Sequence, residues 1–262
     1  MKLSIIIPTY NNLNYLKFFL RSIKINSSFD HEIILHINDG SDGTLKYALD
    51  NKIKHTYSLK NIGLCSSMNK AYSLTSTNFI LYAHDDMYFC KNWDIYLIDE
   101  IKKQENNLYY LSGTNISTRH GLINYDCGST YLNFNEKKFL NFCLQDQTPD
   151  LQSSHWAPHL IHKELWDKID GFSEEFNPGD GSDPDFCMKL WLENVRIFKG
   201  ISKFKVYHFN SITTRNDKVV LNNGTKTFLF KYGFNPKFFR KYYLKGNNSI
   251  VPYKGSLNGP KK

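Results

Sequence analysis

The stretch FILYAHDDM, residues 79–87, is the most informative part of the sequence, because an apolar run ends there in a histidine and two adjacent carboxylates. A short apolar run is typical of a buried strand in a parallel sheet, and open α/β sheets bind ligands at the edge where such strands end. Asp85 and Asp86 repel each other unless positive charge lies beside them. The stretch therefore predicts a strand that ends at a cation site, and a divalent ion such as Mg²⁺ or Mn²⁺ is the candidate.

Strand-like and helix-like patterns alternate on both sides of this stretch. The predicted strands lie at 3–7, where Pro8 ends the run, and at 32–37, 54–59, 79–83, 107–113 and 203–209. The predicted helices lie at 12–24, 45–51, 66–75, 93–104, 159–172 and 183–194. Alternation of this kind implies an α/β fold with a doubly wound, mostly parallel sheet flanked by helices. Between 114 and 151 the periodicity fades and predicts no element.

Size and composition are those of a folded domain. The 262 residues, 41% of them apolar, suit one large domain or one domain with an appendage. The five cysteines are scattered without metal-ligand spacing, which predicts reduced structural thiols. The apolar start at 3–7 is too short for a signal peptide, and no run approaches the roughly 18–20 apolar residues of a membrane span. We therefore expect a soluble cytoplasmic chain.

The positive charge is concentrated at the C-terminus. Residues 199–262 carry 14 Lys or Arg against one acid, whereas the whole chain is net +8, so the remainder is net −5. In 226–246, basic and aromatic residues are interleaved. Two interpretations are open: the aromatic rings pack on the main domain while the lysines face water, or the segment contacts an acceptor glycan or an anionic membrane surface. Nucleic acid is not expected as a partner, because no recognition fold is evident and the acidic clusters would repel phosphates.

Four polar clusters follow predicted strands or precede a helix. They are PTYN at 8–11, NDGSDGT at 38–44, HDDM at 84–87 and GDGSDPD at 179–185. The carboxyl ends of parallel strands lie along one edge of a sheet, so we expect the first three clusters to converge. The sequence contains neither Gly-x-Gly-x-x-Gly nor a Walker phosphate loop, so a nucleotide bound there would be held by other means.

Individual residues in these clusters allow more than one role. Asp39 either accepts hydrogen bonds within its own turn or binds a base or ribose. Of the carboxylates in GDGSDPD, one is expected to cap the following helix, and a partly desolvated one would have a raised pKa suited to a general base. His208 is either a packed residue or a group that completes metal coordination or binds a phosphate.

The motifs together resemble a known enzyme family. LSIIIPTYNN (3–12), EIILHINDGSDGT (32–44), NIGLCSSMNKAY (61–72), FILYAHDDM and the later IDGFSEEFNPGDGSDPDFCMKLW (169–191) resemble, in order and spacing, the inverting family 2 glycosyltransferases of GT-A fold. The resemblance covers residues 3–208. It implies a GT-A domain at 1–210, with a nucleotide-binding half at 1–113 and an acceptor-side half at 114–210, and a basic C-terminal extension at 211–262 packed on it.

The resemblance also implies roles for particular residues. It places Asp183 as the catalytic base and Asp85, Asp86 and His208 as ligands of Mn²⁺ or Mg²⁺. The residues that it places in the nucleotide-sugar site are Pro8, Thr9, Tyr10, Asn11, Asp39, Asn61, His84 and Asp85.

The sequence departs from the family pattern at several motifs, and two of these departures bear on the predicted metal ligands and base. Ala83 stands where family members often have a first aspartate, so coordination would rest on Asp85, Asp86 or both. The acidic motif usually begins Glu-Asp but begins Ser-Asp here, which leaves the base open between Asp183 and Asp185.

The leading hypothesis is a metal-dependent, inverting transferase that moves a sugar from a nucleotide diphosphate sugar to a hydroxyl of a glycan or lipid-linked acceptor. The alternative is a non-catalytic GT-A-like module that binds a glycan or a partner. A nucleotidyltransferase would also use a metal, but the expected Gly-rich phosphate loop is missing. We expect acceptor contacts between 114 and 160, including His155, Trp156 and His159, and a cytoplasmic location that is peripheral to the inner face of a membrane if the basic segment contacts lipid.

Overall fold

Ten strands form one mixed sheet in the computed structural model, which describes residues 1–119, 121–209, 222–246 and 250–260. The strands are β1 (Ser4–Tyr10), β2 (Glu32–Asn38), β3 (Lys54–Ser58), β4 (Phe79–Tyr82), β5 (Met87–Phe89), β6 (Tyr109–Ser117), β7 (Ile123–Asn124), β8 (Leu151–Gln152), β9 (His159–His162) and β10 (Ile197–His208). The helices are α1 (Leu13–Asn26), α2 (Thr44–Asp50), α3 (Leu64–Tyr72), α4 (Trp93–Lys102), α5 (Glu136–Gln145), α6 (Lys163–Ile169), α7 (Ser182–Leu192), α8 (Gly224–Tyr232) and α9 (Pro236–Phe238), with a 3₁₀ turn at Glu174–Phe176 and a π-helical turn at Phe239–Tyr243.

The sheet has a parallel half and a mixed half. Its order is β3-β2-β1-β4-β9-β6-β10-β5, with β7 beside β6 and β8 beside β10. The first four strands are parallel, as predicted. β9 is antiparallel to both of its neighbours, and β5 is antiparallel to β10, whereas β6 and β10 are parallel. The α/β fold with a sheet flanked by helices is confirmed.

β1 is longer than predicted, because Pro8 does not end it. Ile5, Ile6 and Ile7 are fully buried, as a central parallel strand requires. The carbonyl of Ile6 accepts a hydrogen bond from Ala83 N, so every second residue of β1, including Pro8, faces β4. β4 has already ended at that level, so the missing N–H of proline breaks no ladder bond.

The helix predicted at 159–172 is wrong in its first four residues. His159–His162 form β9, and only Lys163–Ile169 are helical. All four residues of β9 are buried, and the strand lies between β4 and β6. Pairing with two strands that are distant in sequence overrides the local helical pattern.

Two further differences concern segments near the site. Met87–Phe89 form a strand that the sequence did not predict, and it pairs with β10 in a register that sets Met87 opposite His208. The unassigned region 114–151 contains the end of β6, β7, α5 and the start of β8.

The described part of the C-terminal extension packs on the domain through part of its aromatic residues. Phe228, Phe239 and Leu244 are buried, whereas Phe230 and Tyr242 are 77% and 41% exposed. Packing on the main domain and contact with a glycan or a membrane surface therefore both keep support, because some aromatic rings are buried and others face solvent. Within the described ranges, no helix has the length and apolar character needed to cross a bilayer.

Candidate active site

The predicted convergence of strand ends is present in the structure. Asn11, which follows β1, donates to Asp39 Oδ2 at 2.9 Å, and Asp39 follows β2. The next residue, Asn12, donates to Asp85 Oδ1 at 3.0 Å, and Asp85 follows β4. Three loops that are distant in sequence are thus joined at one edge of the parallel half.

Asp39 is held by Asn11 from the loop after β1 and by Ser41 in its own turn. Its backbone is left-handed, with φ 62°, and its second oxygen accepts from Ser41 N at 3.3 Å. The hydrogen bond from Asn11 lowers the pKa of the Asp39 carboxyl below its usual value, with a smaller contribution from Ser41. The carboxylate is therefore ionised and fixed in direction at the strand end, and its contact with a base or ribose stays a prediction.

The remaining residues predicted for the nucleotide site surround this edge. Pro8 and Thr9 lie in β1, where Thr9 is buried and Tyr10 is half-buried. Asn61 lies in the loop after β3, and its Oδ1 accepts from Gly63 N at 2.9 Å. Contact of these side chains with a nucleotide stays a prediction.

Asn38 contributes to the site in a way that sequence reasoning missed. It is 3% exposed, its Oδ1 accepts from Ile62 N at 3.0 Å, and its Nδ2 donates to Ser67 Oγ at 3.0 Å. The side chain therefore anchors the loop after β3 to the end of β2. An amide suits this position better than a carboxylate, because it both donates and accepts.

Asp85 is a buried carboxyl group that is only partly satisfied. It is 6% exposed; its Oδ1 accepts the hydrogen bond from Asn12, whereas its Oδ2 has no hydrogen-bond partner among the described residues. Burial, and then the charge of Asp86, raise the pKa of Asp85 to about 7. A cationic ligand at the edge would relieve both effects.

His84, Asp86 and His208 form a cluster whose ligand atoms all lie within 4.8 Å of one another. His208 Nε2 lies 3.1 Å from Asp86 Oδ1 and 3.3 Å from His84 Nδ1. His84 Nδ1 lies 4.0 Å from Asp86 Oδ1. The structure therefore brings the predicted ligands Asp86 and His208 together with His84, which the resemblance had placed in the nucleotide site. Coordination of a metal by Asp85, Asp86 and His208 stays a prediction.

The charges in this cluster are complementary. Burial alone would lower the pKa of His208, but the charge and hydrogen bond of Asp86 raise it above its ordinary value. Burial, and then the neighbouring His208, lower the pKa of His84 to about 4. Protonation is therefore more favourable for His208 than for a free imidazole, whereas His84 is neutral at pH 7 and able to act as a ligand.

Tyr82 supports His84 and was also missed by sequence reasoning. Its Oη lies 2.7 Å from His84 Nε2, and the ring is 1% exposed. The sequence could have indicated this contact, because residues two positions apart in an extended segment lie on the same face.

The three carboxylates of GDGSDPD have separate roles. Asp180 Oδ2 accepts from Gly224 N at 2.8 Å, and Asp185 Oδ1 accepts from Tyr232 Oη at 2.7 Å. Asp183 is half-buried, and its Oδ1 has no hydrogen-bond partner among the described residues. Burial raises the pKa of Asp183 to about 7, although the charge of His208 opposes this. Asp183 thus has the chemistry expected of a general base at neutral pH.

The expectation that one of these aspartates caps α7 is wrong. The N-cap is Gly181 in a left-handed conformation, with φ 82°, and no side chain caps the helix. A Cβ on Gly181 would lie 2.8 Å from the Cα of Gly224, so the extension and the loop approach too closely for a larger residue.

A cleft of about 380 Å³ opens beside Asp183. His155 and Trp156 line it, together with Thr225 and Pro236 of the extension. His159, the third residue suggested for acceptor contacts, is instead 1% exposed and packs between Tyr82 and Tyr110.

Comparison with known proteins identifies the fold. S. aureus TarS 1–349 in complex with UDP-GlcNAc is 17% identical with a TM-score of 0.61, and the match covers 88% of this chain and 65% of that one. GalNAc-T7 with UDP, GalNAc and Mn²⁺ is 12% identical with a TM-score of 0.60, covering 79% and 44%. Mannosyltransferase PcManGT from Pyrobaculum calidifontis in complex with GDP-Man and Mn²⁺ is 12% identical with a TM-score of 0.54, covering 80% and 57%.

The sequence identities to these three structures are low, so the similarity shows the fold alone, and that fold is GT-A. The chain spans 44–65% of the lengths of these three proteins. No curated protein matches the sequence. The family model for glycosyl transferase family 2 matches residues 4–158. Because this match spans more than half of the chain, the protein belongs to glycosyl transferase family 2.

Proposed function

We propose that the protein is a metal-dependent, inverting glycosyltransferase that moves a sugar from a nucleotide diphosphate sugar to a hydroxyl of a glycan or lipid-linked acceptor. The observation that carries the proposal is the position of Asp183. Its unpartnered carboxylate is close enough to His208 for their charges to interact, and His208 belongs to the metal-binding cluster. A general base this close to the site where the metal would hold the diphosphate suits a displacement at the anomeric carbon of a sugar bound between the two.

The donor would lie along the strand ends. Thr9, Tyr10, Asn11 and Asp39, with Pro8 and Asn61 beside them, would hold the nucleoside. The similar structures of GalNAc-T7, TarS and PcManGT contain UDP, UDP-GlcNAc and GDP-Man, respectively, which supports a nucleotide sugar as the donor class.

The donor set of the cluster fits a divalent ion, because imidazole nitrogen and carboxylate oxygen are common ligands of such ions. Asp86 and His208 would hold Mn²⁺ or Mg²⁺, with Asp85 nearby. The bound metal would neutralise charge on the leaving diphosphate. The similar structures of GalNAc-T7 and PcManGT contain Mn²⁺.

Asp183 would act on the acceptor. Its carboxylate takes the proton of the acceptor hydroxyl as the hydroxyl oxygen bonds to the anomeric carbon. The bond from that carbon to the diphosphate oxygen breaks on the opposite face, and its electron pair leaves with the diphosphate. A single displacement of this kind inverts the anomeric centre.

The cleft beside Asp183 would receive the acceptor. Trp156 supplies an aromatic surface and His155 a polar group, while Thr225 and Pro236 bring the extension into the same wall. The extension would therefore shape acceptor binding directly.

The extension would also contact an anionic membrane surface. Residues 222–246 contain six Lys or Arg and no acid. Phe230 and Phe238 are 77% and 42% exposed among them. Basic residues attract anionic headgroups, and exposed rings suit the membrane interface.

A thermal-shift screen with UDP, GDP, CDP and dTDP tests the proposal, each with Mn²⁺ and with chelator. One diphosphate should raise the melting temperature in a metal-dependent way, because a ligand of the native state stabilises it. Metal-independent stabilisation in both Asp85→Ala and Asp86→Ala would remove the metal from the proposal. Binding without hydrolysis of the matching sugar nucleotide would favour the non-catalytic module.

A further inference from the structure

We propose that His84 is a metal ligand beside Asp86 and His208, and that these two imidazoles and one carboxylate select a first-row transition ion such as Mn²⁺ or Co²⁺ over Mg²⁺. The inference rests on the proposed function, because it concerns the same site. It changes the role of His84 from a nucleotide contact to a ligand, and it narrows the class of metal.

The spacing of the three atoms fits one face of a coordination sphere. Metal–ligand bonds of about 2.1 Å at right angles place neighbouring ligand atoms about 3 Å apart. Two of the three separations, 3.3 Å between the imidazoles and 3.1 Å between His208 and Asp86, are close to that spacing. The third, 4.0 Å between His84 and Asp86, needs only a small approach of one side chain.

Tyr82 determines which nitrogen of His84 faces the site. Its hydroxyl contacts Nε2 at 2.7 Å, which leaves Nδ1 directed at Asp86 and His208. When Nδ1 binds a metal, Nε2 carries the proton and donates a hydrogen bond to Tyr82 Oη. Histidine ligands of metals are usually oriented by such a hydrogen bond from the second ring nitrogen. Tyr82 is fixed in turn by edge contacts with His159 and Phe172, at 5.1 and 5.6 Å between ring centroids.

Composition of the ligand set gives the selectivity. Mg²⁺ prefers oxygen ligands and loses its water reluctantly, whereas imidazole suits transition ions. Two of the three ligand atoms in this cluster are imidazole nitrogens, and only Asp86 supplies oxygen. Nitrogen ligands in place of oxygen ligands weaken the binding of Mg²⁺ relative to the binding of Mn²⁺ and Co²⁺.

Binding of the metal alone tests the inference without any sugar nucleotide. Free Mn²⁺ is measured by electron paramagnetic resonance during titration of the full chain, and Mg²⁺ is then added as competitor. We expect Mn²⁺ to bind on the order of tenfold more tightly than Mg²⁺. His84→Ala and the bulkier His84→Gln should both lower Mn²⁺ affinity about tenfold or more and reduce the preference. His55→Ala, which removes a histidine from β3 on the far edge of the parallel half, is the control and should bind Mn²⁺ like the wild type.

Tyr82→Phe tests the positioning role. It should lower Mn²⁺ affinity by about 10–100-fold and change the visible absorption spectrum of bound Co²⁺, which reports the ligand geometry. Tyr110→Phe is the matched control, because Tyr110 packs on the other side of His159 and its hydroxyl donates to the carbonyl of Trp156. A purely structural effect of losing a buried hydroxyl would appear in both variants.

Equal affinity for Mg²⁺ and Mn²⁺, or unchanged Mn²⁺ affinity in both His84 variants of native circular dichroism, would overturn the inference. Absence of metal binding to the wild type would overturn it as well. Failure of the proposed function has a different signature, since it would appear as the absence of nucleotide diphosphate binding even where Mn²⁺ binds.

Discussion

The hydroxyl of Tyr232 donates a hydrogen bond of 2.7 Å to Asp185 Oδ1 and so joins the C-terminal extension to the first turn of α7. Lys231 Nζ lies 2.9 Å from the same oxygen. Asp185 is 1% exposed, and these two groups take the place of water at Oδ1, whereas its Oδ2 has no hydrogen-bond partner among the described residues. The extension therefore holds Asp185 through one oxygen, whereas Asp183 lines the cleft and lies near enough to His208 for their charges to interact.

Asp183→Asn should abolish most of the catalytic turnover while leaving donor binding intact. An amide cannot take the proton of the acceptor hydroxyl, and loss of a general base costs about 10²–10⁴-fold in rate. The measurements are sugar transfer or sugar-nucleotide hydrolysis, and the thermal shift given by the diphosphate that the screen identifies.

Asp185→Asn is the control for that variant. It should lower the stability of the protein, because Lys231 loses one of its two charged partners and keeps only Glu175. The folded fraction should retain more turnover than Asp183→Asn. The reverse order of activities would assign the base to Asp185.

Tyr232→Phe should weaken the attachment of the extension. Removing the hydroxyl leaves a buried carboxylate oxygen with one partner fewer, which costs about 1–3 kcal/mol of unfolding free energy. Urea unfolding measures it. Tyr242→Phe is the control, because Tyr242 is 41% exposed, and it should change stability by no more than about 0.5 kcal/mol. Equal effects of the two substitutions would show that the bond to Asp185 contributes nothing.

The convergence of β1, β2 and β4 could be predicted from the sequence, because buried apolar runs followed by polar residues mark strand ends, and parallel strands share an edge. β9 could not be predicted in the same way. His159–His162 continue into a helical pattern, and only β4 and β6, far away in the chain, make them a strand.

The site shows the same division. Asp86 and His208 were predicted, together with Asp85, as ligands of one metal, because the resemblance gave all three that role, and the structure brings Asp86 and His208 together. The separation of Asp183 from Asp185 was not accessible, because it depends on contacts from Lys231 and Tyr232, more than 40 residues later. The spacing of the aspartates within GDGSDPD does not indicate that Lys231 and Tyr232 contact Asp185.

Anionic vesicles should bind the protein through the extension. Pelleting with vesicles that contain phosphatidylglycerol should exceed pelleting with pure phosphatidylcholine, and each of Lys226→Gln, Lys237→Gln and Lys241→Gln should weaken binding by about 1 kcal/mol. Phe230→Ser should also weaken it, because a 77% exposed ring is lost from the contact. Lys46→Gln, on α2, is the charge-matched control. Equal loss in that control, or equal binding to both vesicle types, would argue against lipid contact by this segment.

The stability of the metal-free protein should depend on pH through Asp183. Burial raises the pKa of this carboxyl to about 7, whereas the pKa of an aspartate in an unfolded chain is about 3.9. Between these values the folded chain keeps a proton that the unfolded chain has lost, so the contribution of Asp183 to stability falls as pH rises through the interval. Asp183→Asn has no proton to lose.

Urea unfolding in chelator at several pH values between 4.5 and 7.5 measures this contribution. The unfolding free energy of the wild type, relative to that of Asp183→Asn, should decrease by about 1 kcal/mol or more across the range, after allowance for the partial exposure of the side chain. Asp183→Glu keeps a carboxyl group at the position and should preserve the slope. Parallel curves for the wild type and the asparagine variant would mean that the Asp183 carboxyl titrates alike in both states, and a base poised near neutral pH would then have to lie elsewhere in the cleft.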